Sequence, residues 1–174
     1  MKYFKNLLLF SVALVTVTLF VFSVTNVQAD LTKGDGNYAG KIEFGIPSGE
    51  QYEIEYLKHL TTLDHTVDGE VWGTTLPDGT VIEDQTYYRL GSSLDPLPAV
   101  GALLDKDSSG AITYDLSAYT GDYYLYGKYD GPNEGAYVWL VTGGAAYTLP
   151  AAIPDDPPGQ FALSHISVYS TTSS

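Results

Sequence analysis

The sequence has no cysteine, one methionine and only eight basic residues among 174. Without cysteine, neither a disulfide nor a thiolate metal site can brace the fold, so stability has to come from core packing. The 21 acidic residues give a formal net charge of −13. Because such a surface repels a phosphate backbone, nucleic acid is not expected as a partner.

The N-terminal segment has the order of a secretory signal peptide. Lys2 and Lys5 precede a mostly apolar run over residues 7–24, and a Val-Gln-Ala triplet ends at Ala29. We predict cleavage after Ala29. The alternative is an uncleaved anchor, since the run could nearly span a bilayer, and only such a segment is expected to contact a membrane. Both readings predict an extracellular protein, and cleavage would leave 6 basic and 21 acidic residues, a net charge of −15.

The mature chain predicts one domain. We expect a flexible leader over residues 30–36, a folded domain over residues 37–170 and a short tail over residues 171–174. Roughly 145 residues suit a single core that buries about two thirds of the unfolded surface.

Most of this domain has the pattern of short strands separated by turns. Runs rich in Tyr, Val and Ile alternate with clusters of Gly, Pro, Asp and Asn. The expected strands are residues 38–44, 71–72, 81–82, 87–90, 111–116, 123–129, 137–141, 145–149 and 161–169. This spacing predicts a mainly β, antiparallel β-sandwich or jelly-roll-like single domain.

One short amphipathic helix is expected to interrupt the strands. Ser48 and Gln51 have capping-box spacing, so we predict that the helix begins at Ser48. Apolar residues then recur at helical spacing, namely Tyr52, Tyr56, Leu57, Leu60 and Leu63. The helix should cover an edge or a face of the sheet.

Two strands predict which of their faces are buried. In residues 123–129, Tyr124 and Tyr126 alternate with Leu125, and their set continues to Lys128. That set ends in charge, so it is expected to face solvent or a groove. Residues 137–141 are apolar on both faces, which predicts a central strand covered on both sides.

The aromatic content raises the possibility of carbohydrate binding. The chain has 15 tyrosines and two tryptophans, and aromatic faces stack on sugar rings. A sheet that displayed Tyr124 and Tyr126 beside Trp72 would form a carbohydrate-binding surface. The simpler alternative is that tyrosine is favoured in strands and serves only packing.

A calcium loop is suggested by Asp105, Asp107 and Ser109, which occupy ligand positions 1, 3 and 5 of an EF-hand-type loop. Position 12 lacks the required acid, because Asp115 falls one residue early. The alternative is a polar hairpin turn in which these side chains bond their own backbone. No cofactor other than calcium is suggested by the sequence.

Catalytic motifs are not evident, so no enzyme activity is expected. His59, His65 and His165 are isolated in sequence, and a hydrogen-bonded structural role is expected for His165. Glu70 and Glu83 lie close to aromatic residues, which leaves a glycoside hydrolase as a third hypothesis.

The order of several motifs resembles that of exported bacterial proteins that carry a PEP-CTERM sorting tail. The motifs are Lys-Tyr-Asp-Gly-Pro-Asn at residues 128–133, Val-Trp at 138–139 and Leu-Ser-His at 163–165. The helix and the segments at 86–89 and 97–99 extend the similarity. The resemblance implies an extracellular or cell-surface matrix setting, with exopolysaccharide or other envelope proteins as partners. A Pro-Glu-Pro tail is not seen before Ser174, so sorting by that tail is not expected.

Overall fold

The structure is a computed structural model that describes residues 27–43, 49–130, 135–153 and 161–172. Within these ranges the chain forms ten strands and one helix. The mainly β prediction is therefore confirmed. The apolar run of the signal segment, Ser48, the turn at 131–133 and the Pro-rich turn at 154–159 lie outside the described residues.

Seven strands form one antiparallel sheet. In spatial order they are β3 (Asp68–Thr75), β4 (Val81–Tyr88), β2 (Tyr38–Glu43), β8 (Ala136–Thr142), β7 (Asp122–Tyr129), β10 (Leu163–Thr172) and β5 (Ala99–Asp107). The middle strand is β8, and Val138 and Trp139 on its opposite faces are both fully buried. The predicted central strand is thus confirmed.

A second, three-stranded sheet packs on one face of the large sheet. It consists of β1 (Gln28–Asp30), β9 (Ala146–Thr148) and β6 (Thr113–Asp115), with β1 parallel to β9 and β6 antiparallel to it. Tyr114 and Tyr147 from this sheet share a core with Leu125, Trp139 and Ile166 of the large sheet. The two sheets therefore enclose a core as in a β-sandwich.

Helix α1 (Glu50–Thr62) covers the opposite face of the large sheet. Tyr56, Leu57 and Leu60 are buried in the core that it forms, as the apolar stripe predicts. The start is different from the prediction, because Gly49 is the N-cap residue and makes no side-chain cap. No helix among the described residues is both long and apolar enough to cross a membrane.

The predicted leader at residues 30–36 is anchored rather than flexible. The Leu31 side chain is only 3% exposed, and its backbone N–H donates to the carbonyl of Thr148. The indole N–H of Trp139 donates to the carbonyl of Thr32 at 3.1 Å. At the other end, Thr171 of β10 pairs with Val100 of β5, so the tail predicted to begin at residue 171 starts too early. Strand β1 also spans the cleavage site predicted after Ala29.

Two strands of the large sheet also differ from the prediction. The run at 81–82 and the first half of the run at 87–90 belong to a single strand, β4, because polar residues between them still pair with β3. This strand ends at Tyr88, so residues 89–90 lie outside it. Strand β5 was not predicted, although its residues 99–104 are mostly small or apolar. It is an edge strand that pairs on one side with β10. Apolar residues such as Leu104 are exposed in it, so its sequence lacks the alternation of apolar and polar residues that marks a half-buried strand.

Candidate functional site

A group of interacting polar side chains surrounds Glu53 of α1, which is fully buried. Its Oε1 accepts from Nε2 of His165 and from Nζ of Lys106, each at 2.8 Å. Its Oε2 accepts from Oγ of Ser167 at 2.7 Å and from the hydroxyl of Tyr169 at 3.3 Å. An ionised carboxylate only accepts, so the histidine nitrogen is the donor. We call these five residues the Glu53 network.

The sheet register explains why these donors meet. Successive side chains of a strand point to opposite faces, so His165, Ser167 and Tyr169 all lie on the face of β10 that α1 covers. Lys106 of β5 is the cross-strand partner of Ser167. Glu53 lies three residues before Tyr56 on the buried side of the helix, directly over this row.

Electrostatics favour the ionised form of Glu53. Burial by itself would raise the pKa of this carboxyl, but hydrogen bonds from His165, Lys106 and Ser167 outweigh it and lower the pKa below its ordinary value. Burial raises the pKa of Tyr169, and the adjacent Glu53 charge raises it further. The buried Glu53 is therefore favoured in its charged form, because several donors replace the water that burial removes.

The chemistry of the network is that of a fixed ion pair rather than of a nucleophile. The Ser167 hydroxyl donates its hydrogen bond to Glu53, not to His165, and both Ser167 and Glu53 are fully buried. Nucleophilic catalysis by serine needs a base that takes the serine proton and a path for the substrate. The Glu53 carboxylate lies between the serine and the histidine, and its hydrogen bonds connect α1 with β10 and β5.

The tyrosines of the predicted carbohydrate surface are not on the surface. Tyr124 and Tyr126 are fully buried beneath α1 in the helix-side core, so the prediction that their face is open to solvent is wrong. The hydroxyl of Tyr124 donates to the carbonyl of Pro98 at 2.5 Å. The charge that ends this face, Lys128, is itself 8% exposed, and burial lowers its pKa while Glu53 opposes that shift.

Trp72 lies at a different place, on β3, with its ring against the helix. Its ring stacks on the imidazole of His59, with centroids 4.1 Å apart and planes 6° apart. His59 Nε2 lies 3.0 Å from Oε1 of Glu70. Burial lowers the pKa of His59, and the contact with Glu70 opposes that shift. One face of Trp72 is thus covered by protein. Of the two glutamates in the hydrolase hypothesis, both exposed, Glu70 contacts the imidazole of His59.

The predicted EF-hand-type loop is not formed. Asp105 and Asp107 belong to strand β5, where Tyr114 donates its hydroxyl to Asp105. The backbone N–H of Ser109 donates to Asp107 at 2.8 Å, and that of Ala111 to Ser109 at 3.3 Å. Asp115 likewise accepts from the backbone N–H of residue 117 at 2.8 Å. The geometry is that of the turn alternative.

Among the described residues, one group of potential metal ligands does converge, namely Asp64, His65 and Asp95. All three are exposed, and Nδ1 of His65 lies 2.9 Å from Oδ2 of Asp95. Asp64 also accepts from the backbone N–H of Thr66 at 2.8 Å. Hydrogen bonds within the group account for this arrangement without a metal ion.

A cleft of about 270 Å³ is lined by residues of β2, β3 and β4 and of the adjoining segments. We call it the Tyr88 cleft. Burial and the carboxylates of Glu43 and Asp68 raise the pKa of Tyr88. None of the carbohydrate, metal or catalytic residues predicted from sequence lines this cleft. Its residues are Lys33, Tyr38, Lys41, Glu43, Asp68, Tyr88 and Leu90.

Comparison with known proteins identifies no relative: no family model, curated protein or solved structure matches the chain.

Sequence reasoning missed the Tyr88 cleft and, except for a hydrogen bond of His165, the Glu53 network. For Glu53 a signal exists, because a glutamate occupies a position of the apolar helix stripe and must then find buried partners. A polar row on a buried strand is likewise recognisable in β10, where His165, Ser167 and Tyr169 alternate with apolar residues. The cleft has no such signal, since its residues come from four separate segments.

Proposed function

We propose that this chain is an exported, non-enzymatic domain of the bacterial extracellular matrix or cell surface. The signal-type N-terminal segment, the acidic surface and the resemblance to PEP-CTERM proteins support the location. The observation that carries the non-enzymatic part is the Glu53 network. The residues with catalytic chemistry in it are buried and bonded to one another, which favours a structural tie.

The location is tested by fractionation of a bacterial host that expresses the full chain. We expect the protein in the medium or envelope fraction, and mass spectrometry of its N-terminus distinguishes cleavage after Ala29 from an uncleaved anchor. Recovery of the intact precursor in the cytosol would contradict the proposal.

The absence of catalysis is tested separately with chromogenic glycosides, esters and peptides. We expect no turnover above that of a heat-unfolded sample. The hydrolase hypothesis instead predicts turnover that disappears in Glu70→Gln or Glu83→Gln. Turnover that disappears in Glu53→Gln, with the fold retained, would show that the buried network is reached by substrate.

Carbohydrate binding remains the second candidate function, although the surface first predicted for it does not exist. The Tyr88 cleft is the observation that favours it, because this cleft combines an aromatic ring with charged donors and acceptors.

A further inference from the structure

The Tyr88 cleft lies at the part of the large sheet that the narrower, three-stranded sheet does not cover. The core between them contains residues of β2, β7, β8 and β10, but none of β3 or β4 among the described residues. On this side, the outer strands therefore extend past the cover that the small sheet provides. Lys33, in the segment that joins β1 to β2, also lines the cleft.

Three residues that line the cleft are cross-strand neighbours. Asp68 of β3 is the partner of Tyr88 of β4, and Tyr88 is the partner of Lys41 of β2. Lys41 also pairs with Tyr137 of β8 in the core. The ammonium of Lys41 lies 5.9 Å from the centroid of the Tyr88 ring and 5.3 Å from that of Tyr137. Leu90, which is 55% exposed, adds apolar surface at the rim.

The charges of this cleft set it apart from the rest of the surface. Lys33 and Lys41 are balanced by Glu43 and Asp68, and Lys41 forms an ion pair with Glu43. The chain as a whole has a formal net charge of −13. A neutral ligand therefore enters without the repulsion that a polyanion would meet on the surrounding surface.

The lining matches the chemistry of a sugar ring. Carboxylates accept from hydroxyl groups and ammonium groups donate to them, and each ammonium has three N–H donors, so an ion pair does not exhaust it. The Tyr88 ring and Leu90 offer apolar surface to the C–H face of a pyranose. The cleft volume of about 270 Å³ is below the range of about 300–1,000 Å³ for drug-sized ligands, which suits a single ring.

We propose that the Tyr88 cleft binds one neutral pyranose unit of an extracellular saccharide. This inference deepens the second candidate function and rests on it, whereas the proposed matrix function holds with or without a sugar ligand and is tested separately by fractionation.

The test is calorimetric titration of the full exported protein with methyl glycosides of glucose, galactose and mannose, and with glucuronate as the charged counterpart. We expect saturable binding of at least one neutral glycoside at millimolar concentration and weaker binding of glucuronate. Asp68→Asn and Lys33→Ala should each weaken binding about tenfold, as for loss of a hydrogen bond to a charged group. Tyr88→Ala should abolish it.

Matched controls lie away from the cleft. Lys58→Ala removes an exposed lysine that pairs with Glu55 on α1, and Tyr119→Ala removes a partly exposed tyrosine. Both should bind as the wild type does. Asp68 and Lys33 are exposed, so their variants test the site even if Tyr88→Ala fails to fold. No saturable binding of any neutral glycoside, stronger binding of glucuronate, or unchanged affinity in both Asp68→Asn and Lys33→Ala would each overturn the proposal.

Discussion

Glu53→Gln should destabilise the domain far more than any exposed substitution on the same helix. The carboxylate is fully buried and accepts from four side chains. The amide keeps the shape but removes the negative charge, and its NH2 group must face at least one donor. Breaking a buried ion pair costs about 3–5 kcal/mol. We expect a loss at the lower end, about 3 kcal/mol, because the amide oxygen still accepts.

The measurement is urea unfolding of the exported protein followed by tryptophan fluorescence. For a domain of this size a loss of about 3 kcal/mol also lowers the Tm by roughly 6–12 °C. The matched control is Glu55→Gln, which removes an acid two residues away that pairs with exposed Lys58 at 2.7 Å. Surface ion pairs are worth about 0–1 kcal/mol, so the control should change little. A loss below about 1 kcal/mol in Glu53→Gln would refute the reasoning about the network.

The pH dependence of the same variant gives an independent check. The pKa of Glu53 is lower in the folded protein than in the unfolded chain, so its contribution is fully present above the ordinary glutamate pKa. The contribution is lost as the pH falls through the lower pKa of the folded state. The wild type should therefore lose stability in this acidic window more steeply than Glu53→Gln. Parallel curves would contradict the assignment of the charge to Glu53.

Three further predictions follow from other contacts. Leu31→Ala should lose about 2–3 kcal/mol in urea unfolding, because a buried leucine is truncated, whereas a flexible leader predicts no change. Because burial lowers the pKa of His59, the folded state disfavours its charged form and stability falls as the pH drops below the ordinary histidine value. His59→Gln should then lose less Tm than the wild type between about pH 7.5 and about pH 5.5, and an equal loss would contradict this. Millimolar calcium should leave the Tm unchanged, since Asp107 and Asp115 bond backbone N–H groups, and a rise abolished by Asp107→Asn would restore the metal hypothesis.

The fold class could be predicted from local pattern, but the environment of particular strands could not. The period of two correctly separates Leu125 from Tyr124 and Tyr126 in β7. It does not say what covers each face, and the charge of Lys128 suggested solvent. In the structure α1 covers that face, and Glu53 lies close enough to Lys128 to oppose the shift that burial causes in its pKa.

Sequence by itself determined the type and approximate position of most elements, because strand alternation, turn residues and the helix stripe are local properties of the chain. Only the tertiary structure decided which polar residues meet. Glu53 and His165 are 112 residues apart, and Asp68, Tyr88 and Lys41 become neighbours only through the order β3, β4, β2. Contacts between distant segments depend on strand order and register, which local periodicity does not encode.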